Sequence, residues 1–178
     1  PKHIWDPFCG TGTIAIEAQR MGITCTCSDI SPEMVTATRR NLAHFFPEKE
    51  HHVFQHDITT KLTTGVQTAT IVTEGYLGPI YKRPVSEQDL AAARKDIEPI
   101  YAAFFEQAAK LPAIETLVIC MPFWQTSAGQ LAYSENALAA AQRFWKNTLA
   151  CDGLSSRGSF LFRREDQCVG REIFAFRR

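Results

Sequence analysis

Asp6-Pro7-Phe8-Cys9-Gly10-Thr11-Gly12 is the stretch on which the reading of this chain turns. It follows a short apolar run, so His3 to Phe8 is expected to be a strand that ends in a glycine-rich turn. Behind the turn, Ile14, Ile16, Ala18 and Met21 recur broadly at helical spacing, which predicts a helix over Thr11 to Met21. Strand, glycine turn and helix in that order form the ligand-binding end of an open parallel sheet.

The alternation continues along the chain. Ile23 to Ile30 reads as a second strand. Ser31 then caps a helix with Pro32 at its first position and Glu33 beside the positive end of the dipole, running to about Phe46 and stopping at Pro47. Third and fourth strands are expected at His52 to Ile58 and Ala69 to Leu77, with a polar connection over Thr59 to Thr68. A long helix begins at Ser86, and Pro99 is expected to kink or divide it before Leu111. Thr116 to Met121 reads as a fifth strand and Asn136 to Leu149 as a helix. Gly158 to Arg164 and Gly170 to Arg177 then form a terminal hairpin, too close together for a crossover. The expected fold is α/β: one Rossmann-like domain over 1–178, with a mostly parallel seven-stranded sheet and an antiparallel C-terminal hairpin strand.

Gly10 and Gly12 let the backbone approach a ligand, and the helix behind them offers unpaired N–H groups. Asp6 beside this turn is badly placed for a pyrophosphate and suits a ligand with an ammonium group, such as the amino-acid end of S-adenosylmethionine. The third glycine of a dinucleotide fingerprint is missing, because position 15 is Ala15. Asp29 ends the second strand, where a carboxylate can take ribose hydroxyls. Asp57 ends the third, within reach of an adenine amino group. Each of these two alone can equally serve a local cap or turn. Together with Phe8, Cys9, Gly10, Gly12, Ile30 and Ile58 around them, the three carboxylates define an expected pocket for one extended nucleoside ligand, S-adenosylmethionine.

Composition narrows the class. Of the 178 residues, 45% are hydrophobic and 21% charged, as in ordinary globular proteins, and no apolar run approaches the ~20 residues that span a bilayer. Nineteen basic residues balance nineteen acidic ones, which argues against this domain gripping a nucleic acid unaided. The six cysteines, Cys9, Cys25, Cys27, Cys120, Cys151 and Cys168, lack zinc spacing and read as buried free thiols of a reducing cytosol; no metal site is expected from His51, His52 and His56 either. The chain opens at Pro1 directly into a strand, so a module N-terminal to it is expected.

Asp6-Pro7-Phe8-Cys9-Gly10-Thr11-Gly12 followed by Ile16-Glu17-Ala18 resembles the first motif of class I methyltransferases, in particular the THUMP-associated tRNA guanine-N2 methyltransferases. Ser28-Asp29-Ile30-Ser31-Pro32-Glu33-Met34 and Arg40-Asn41-Leu42 resemble their second segment, and Gln167-Cys168-Val169-Gly170-Arg171-Glu172-Ile173 their closing hairpin. The resemblance implies a cytoplasmic RNA methyltransferase that uses S-adenosylmethionine to methylate an exocyclic guanine amine in tRNA. It also implies delivery of that tRNA by an N-terminal RNA-binding module, and leaves room for a partner subunit. After the fourth strand such enzymes carry Asp/Asn-Pro-Pro-Tyr/Phe, whereas this chain reads Thr73-Glu74-Gly75-Tyr76-Leu77-Gly78-Pro79. Thr73 and Glu74 are the candidates to contact the amine and Tyr76 to stack on a flipped base. Phe123 and Trp124, after the fifth strand, are candidate pocket walls. Other acceptors (DNA, protein or a small molecule) and a non-catalytic partner subunit of the same fold are the alternatives. A nicotinamide-dependent dehydrogenase fits least.

Overall fold

The computed structural model describes residues 1–62, 66–150 and 152–178. Cys151 and residues 63–65 of the polar connection lie outside them. The described chain forms two units, Pro1–Glu74 with Gln107–Val118, and Gly75–Glu106 with Ile119–Arg178.

The first unit holds β1 (His3–Asp6), α1 (Thr13–Arg20), β2 (Thr24–Asp29), α2 (Pro32–Phe45), β3 (His52–Gln55) and β4 (Thr70–Glu74). These strands lie in the order β3-β2-β1-β4, with β1 parallel to both neighbours and β2 parallel to β3. The chain therefore moves outward from β1 through β2 to β3, then returns to place β4 on the other side of β1. That reversal is a topological switch point, where open α/β sheets bind ligands at the carboxyl ends of their strands. Helices α1 and α2 bury Ala15, Ala18, Val35 and Leu42 against Ile4, Cys25, Cys27 and Val53 of the strands. Ser31 caps α2 as its sequence predicts, accepting a hydrogen bond from the Met34 N–H at 3.2 Å.

The second unit takes most of α3 (Glu87–Ala109) and of β5 (Thr116–Gln125), then β6 (Leu131–Tyr133), α4 (Glu135–Gln142), β7 (Lys146–Asn147), β8 (Phe160–Phe162) and β9 (Val169–Arg177). Ser86 and Asp89 form a reciprocal capping box at the start of α3. The Ser86 Oγ accepts from the Asp89 N–H at 3.1 Å, and the Asp89 carboxylate accepts from the Ser86 N–H at 3.1 Å. The core is aromatic: Tyr101, Phe104 and Phe105 of α3 are buried with Phe174 and Phe176 of β9, and Phe105 meets Phe176 edge-on at 6.2 Å. β8 and β9 form the expected antiparallel hairpin.

Three expectations need correction. Nine strands are described where seven were expected, because β6 and β7 are only three and two residues long and carry no readable period. The helix expected to reach Leu149 stops at Gln142; Lys146 and Asn147 instead pair with Arg177 and Phe176, so edge pairing with β9 overrides local helix preference. Finally, of the kink or division expected at Pro99, the division does not occur, and α3 runs through it from Glu87 to Ala109. Pro99 is exposed, while Ile97, Tyr101, Phe104 and Phe105 on either side are fully buried, and their packing offsets the missing N–H bond. Among the described residues no helix is long and apolar enough to cross a membrane.

Candidate cofactor and active site

The switch point brings the ends of β1 and β4 together. Asp6 closes β1 and is 1% exposed, and the Thr73 hydroxyl, from β4, donates to its Oδ1 at 2.6 Å. The Phe8 N–H reaches the same oxygen at 3.3 Å. The other oxygen, Oδ2, is buried and among the described residues has no hydrogen-bond partner. Burial pushes the Asp6 carboxyl up to about 7, against the Thr73 and Phe8 hydrogen bonds, and the nearby carboxylates of Asp29 and Glu74 add to the rise. A cation brought against that oxygen would offset the burial that raises the Asp6 carboxyl.

Above it runs the glycine turn. Gly10 has φ 52° and nothing within 4 Å of where a Cβ would stand, so its backbone faces open space. Gly12 has φ 90°, and a Cβ there would meet the Thr38 Cγ2 at 3.0 Å, so α2 passes directly against the turn. Helix α1 starts behind Gly12 with no side-chain cap, leaving its first N–H groups available. Asp29 braces the turn: its Oδ2 accepts from the Gly10 N–H at 2.9 Å and its Oδ1 from the Ser31 N–H at 3.0 Å. A carboxylate has about four acceptor directions, so each oxygen keeps one for a hydroxyl donor.

The other expected residues divide. Ile30 is 62% exposed beside Asp29, whereas Cys9 and Ile58 are buried core. Phe8 is half-buried at the turn. Asp57 lies two residues beyond β3, where its Oδ1 accepts the Thr59 N–H at 2.9 Å and the Thr59 hydroxyl at 2.7 Å; these bonds hold its pKa below the usual carboxylate value. Thr73 faces Asp6, and Glu74 ends β4 half-buried. Tyr76 belongs to the second unit and is 41% exposed. There, Tyr101 secures the backbone: its hydroxyl lies 3.2 Å from the carbonyls of both Tyr76 and Cys120 and can donate to one at a time. A side chain at Gly75 would collide with the Tyr101 ring and hydroxyl, so glycine is required there. Phe123 and Trp124 are buried core rather than pocket walls. Cys9, Cys25 and Cys27 are buried free thiols, while Cys120 and Cys168 are half-buried. Hydrogen bonding with the neighbouring Cys25 and Cys9 thiols, and then burial, raise the Cys27 thiol and keep it protonated.

Two residues were given no site role by the sequence reading, although Asn41 lies in the quoted Arg40-Asn41-Leu42 segment. The Thr38 hydroxyl donates to the Gly10 carbonyl at 2.7 Å, and the Asn41 amide to the Thr11 carbonyl at 2.9 Å. Their i, i+3 spacing on α2, next to buried Val35 and Leu42, was the available signal: a polar pair set within a buried stripe.

This architecture recurs in solved structures across the whole chain. Magnesium protoporphyrin IX methyltransferase from Synechocystis PCC 6803, with bound SAM, superposes with a TM-score of 0.64 at 12% identity, covering 98% of this chain and 69% of that one. The chain shares the fold of that methyltransferase. TrmN from Thermus thermophilus shares this fold, with a TM-score of 0.59 at 16% identity over 99% of this chain and 44% of that one. Residues 1–84 match the UPF0020 family, described as an RMKL-like methyltransferase domain. A tRNA (guanine(10)-N2)-dimethyltransferase from Methanothermobacter thermautotrophicus is 55% identical over 43 residues, 24% of this chain and 13% of that protein. The matched segment thus spans about an eighth of that relative.

Proposed function

We propose that this chain is the catalytic domain of an S-adenosylmethionine-dependent methyltransferase acting on an exocyclic guanine amine of tRNA. The observation that carries this reading is the buried Asp6, with one oxygen unpaired, beneath an open glycine turn at the sheet's switch point. The orphan oxygen and the open backbone fit the amino-acid end of such a ligand. Asp6 takes its ammonium group, the free N–H groups of α1 its carboxylate, Asp29 its ribose, and exposed Ile30 one face of its adenine. When bound, S-adenosylmethionine supplies a methyl group on a good leaving group, so catalysis rests on positioning the acceptor. Thr73 is a positioning residue that orients Asp6. Glu74 aligns the acceptor amine and stabilises charge developing on it. Tyr76 offers its exposed ring to the base.

The acceptor is proposed from the identity shared with the guanine-N2 dimethyltransferase and from the family match over 1–84. The RNA would be delivered by a module N-terminal to Pro1, with cytoplasmic activity. One observation favours a second reading. Gly75-Tyr76-Leu77-Gly78 replaces the two prolines that stiffen the family's acceptor loop, which suits a different acceptor or a non-catalytic partner. Labelled methyl transfer into bulk tRNA tests the choice. Cofactor binding without transfer to any nucleic acid would favour the second reading.

A further inference from the structure

The C-terminal sheet face of the second unit combines exposed aromatic rings with basic side chains. In the β8–β9 hairpin Phe160 pairs with Ile173 and Phe162 with Arg171, and directly opposed residues share one face. On β9 the alternate residues Glu172, Phe174 and Phe176 are buried, so Arg171, Ile173, Ala175 and Arg177 point away from the core. Phe160 and Phe162 are 40% and 45% exposed on that outward face. β7 extends it by placing Lys146 opposite Arg177.

Charge is also segregated here. Although the chain is neutral, residues 143–178 hold eight arginines and lysines (Arg143, Lys146, Arg157, Arg163, Arg164, Arg171, Arg177, Arg178) against four carboxylates (Asp152, Glu165, Asp166, Glu172), a net +4. Glu172 is consumed internally by Arg157, at 2.6 Å. Glu165 and Asp166 sit in the turn between β8 and β9. Lys146 and Arg177 are like charges directly opposed across the sheet, an arrangement that destabilises it. Among the described residues neither makes an ion pair. A polyanion laid along this face would relieve that repulsion.

We propose that the outward face of β7, β8 and β9 is a binding platform for single-stranded RNA, with Phe160 and Phe162 stacking on two bases and Arg171, Arg177 and Lys146 tracking the phosphates. Stacking by aromatics on a sheet is a general mode of single-strand recognition, because every base has a π-face. Arg177 lies six positions along β9 from Arg171, so the strip is about 20 Å long. The inference rests on the proposed RNA substrate and locates part of its grip on the domain itself.

The test is fluorescence anisotropy of a labelled single-stranded oligouridine and of a tRNA transcript, with S-adenosylmethionine affinity measured in parallel by calorimetry. Phe160→Ala and Phe162→Ala are expected to weaken oligouridine binding about five- to 150-fold each, the loss typical of one stacked base, with cofactor affinity unchanged. Lys146→Gln with Arg177→Gln is expected to reduce the dependence of log K on log salt by about 1 to 2 and leave cofactor affinity unchanged. RNA binding by both sets of variants equal to wild type would overturn the platform. So would unchanged RNA binding together with a shift in sedimentation, which would make the face a contact between two copies of the chain. Methyl transfer to a non-RNA acceptor by wild type that binds no oligouridine would also overturn it while sparing the methyltransferase reading. Loss of these RNA effects and failure of cofactor binding are thus read separately.

Discussion

Asp6 makes the sharpest prediction. Its carboxyl is raised from 3.8 to about 7, chiefly by burial. A folded-state value above the unfolded one means that the native protein holds this proton over the window from about pH 4 to about pH 7, where the unfolded chain has lost it. Stability contributed by the site is therefore full below pH 4 and falls as pH rises towards 7. A rise from 3.8 to about 7 corresponds to about 4 kcal/mol at most. Urea unfolding of wild type and Asp6→Asn at pH 4.5, 6 and 7.5 isolates this part of the pH slope, because other titrating groups are common to both. The variant is expected to lose it. Ligand binding should show the mirror image. If the ammonium group of S-adenosylmethionine sits against Asp6, binding expels its proton, and affinity rises up to about tenfold per pH unit below pH 7. Calorimetry in buffers of different ionisation enthalpy counts that proton directly. An affinity unchanged between pH 5.5 and 7.5, with no buffer dependence of the enthalpy, would refute the pairing.

Three further outcomes follow from the site. Asp29→Ala removes one hydrogen bond to the glycine turn, at the Gly10 N–H, and one to the Ser31 N–H, as well as the proposed ribose acceptor, so S-adenosylmethionine binding should weaken by about 1–3 kcal/mol or more in calorimetry. Gly12→Ala must hold φ 90° with its methyl against Thr38, costing about 1–3 kcal/mol in denaturant midpoint measurements; a variant as stable as wild type would show that the turn relaxes freely. Glu74→Gln should keep cofactor affinity while lowering turnover by about 10²–10³-fold, and undiminished transfer would clear Glu74 of a catalytic part.

Much of the first unit was legible because its signals are local. The glycines of the turn, the Ser31 cap and the strand–helix alternation each depend on a few neighbouring residues, and all appear where the pattern put them. What the pattern hid depends on tertiary placement. Asp57 and Asp29 look alike in sequence as carboxylates near strand ends. Only the fold shows that one closes a turn on Thr59 while the other reaches nineteen residues back to Gly10. The Thr73–Asp6 bond spans 67 residues and exists because β4 lands beside β1. Likewise, α4 ends early because β9 offers Lys146 and Asn147 an edge, which no local propensity records. Phe160 and Phe162 read as strand residues, and it is the register with β9 that turns both rings outward.

The central claim is that this domain transfers a methyl group to guanine in tRNA, and one measurement addresses it most directly. The full-length protein is incubated with methyl-labelled S-adenosylmethionine and unmodified tRNA, and the RNA is digested to nucleosides and separated. The account predicts label in N2-methylated guanosine, lost in Asp6→Asn and strongly reduced in Glu74→Gln. Label in no nucleoside, from protein shown to bind the cofactor, would contradict it.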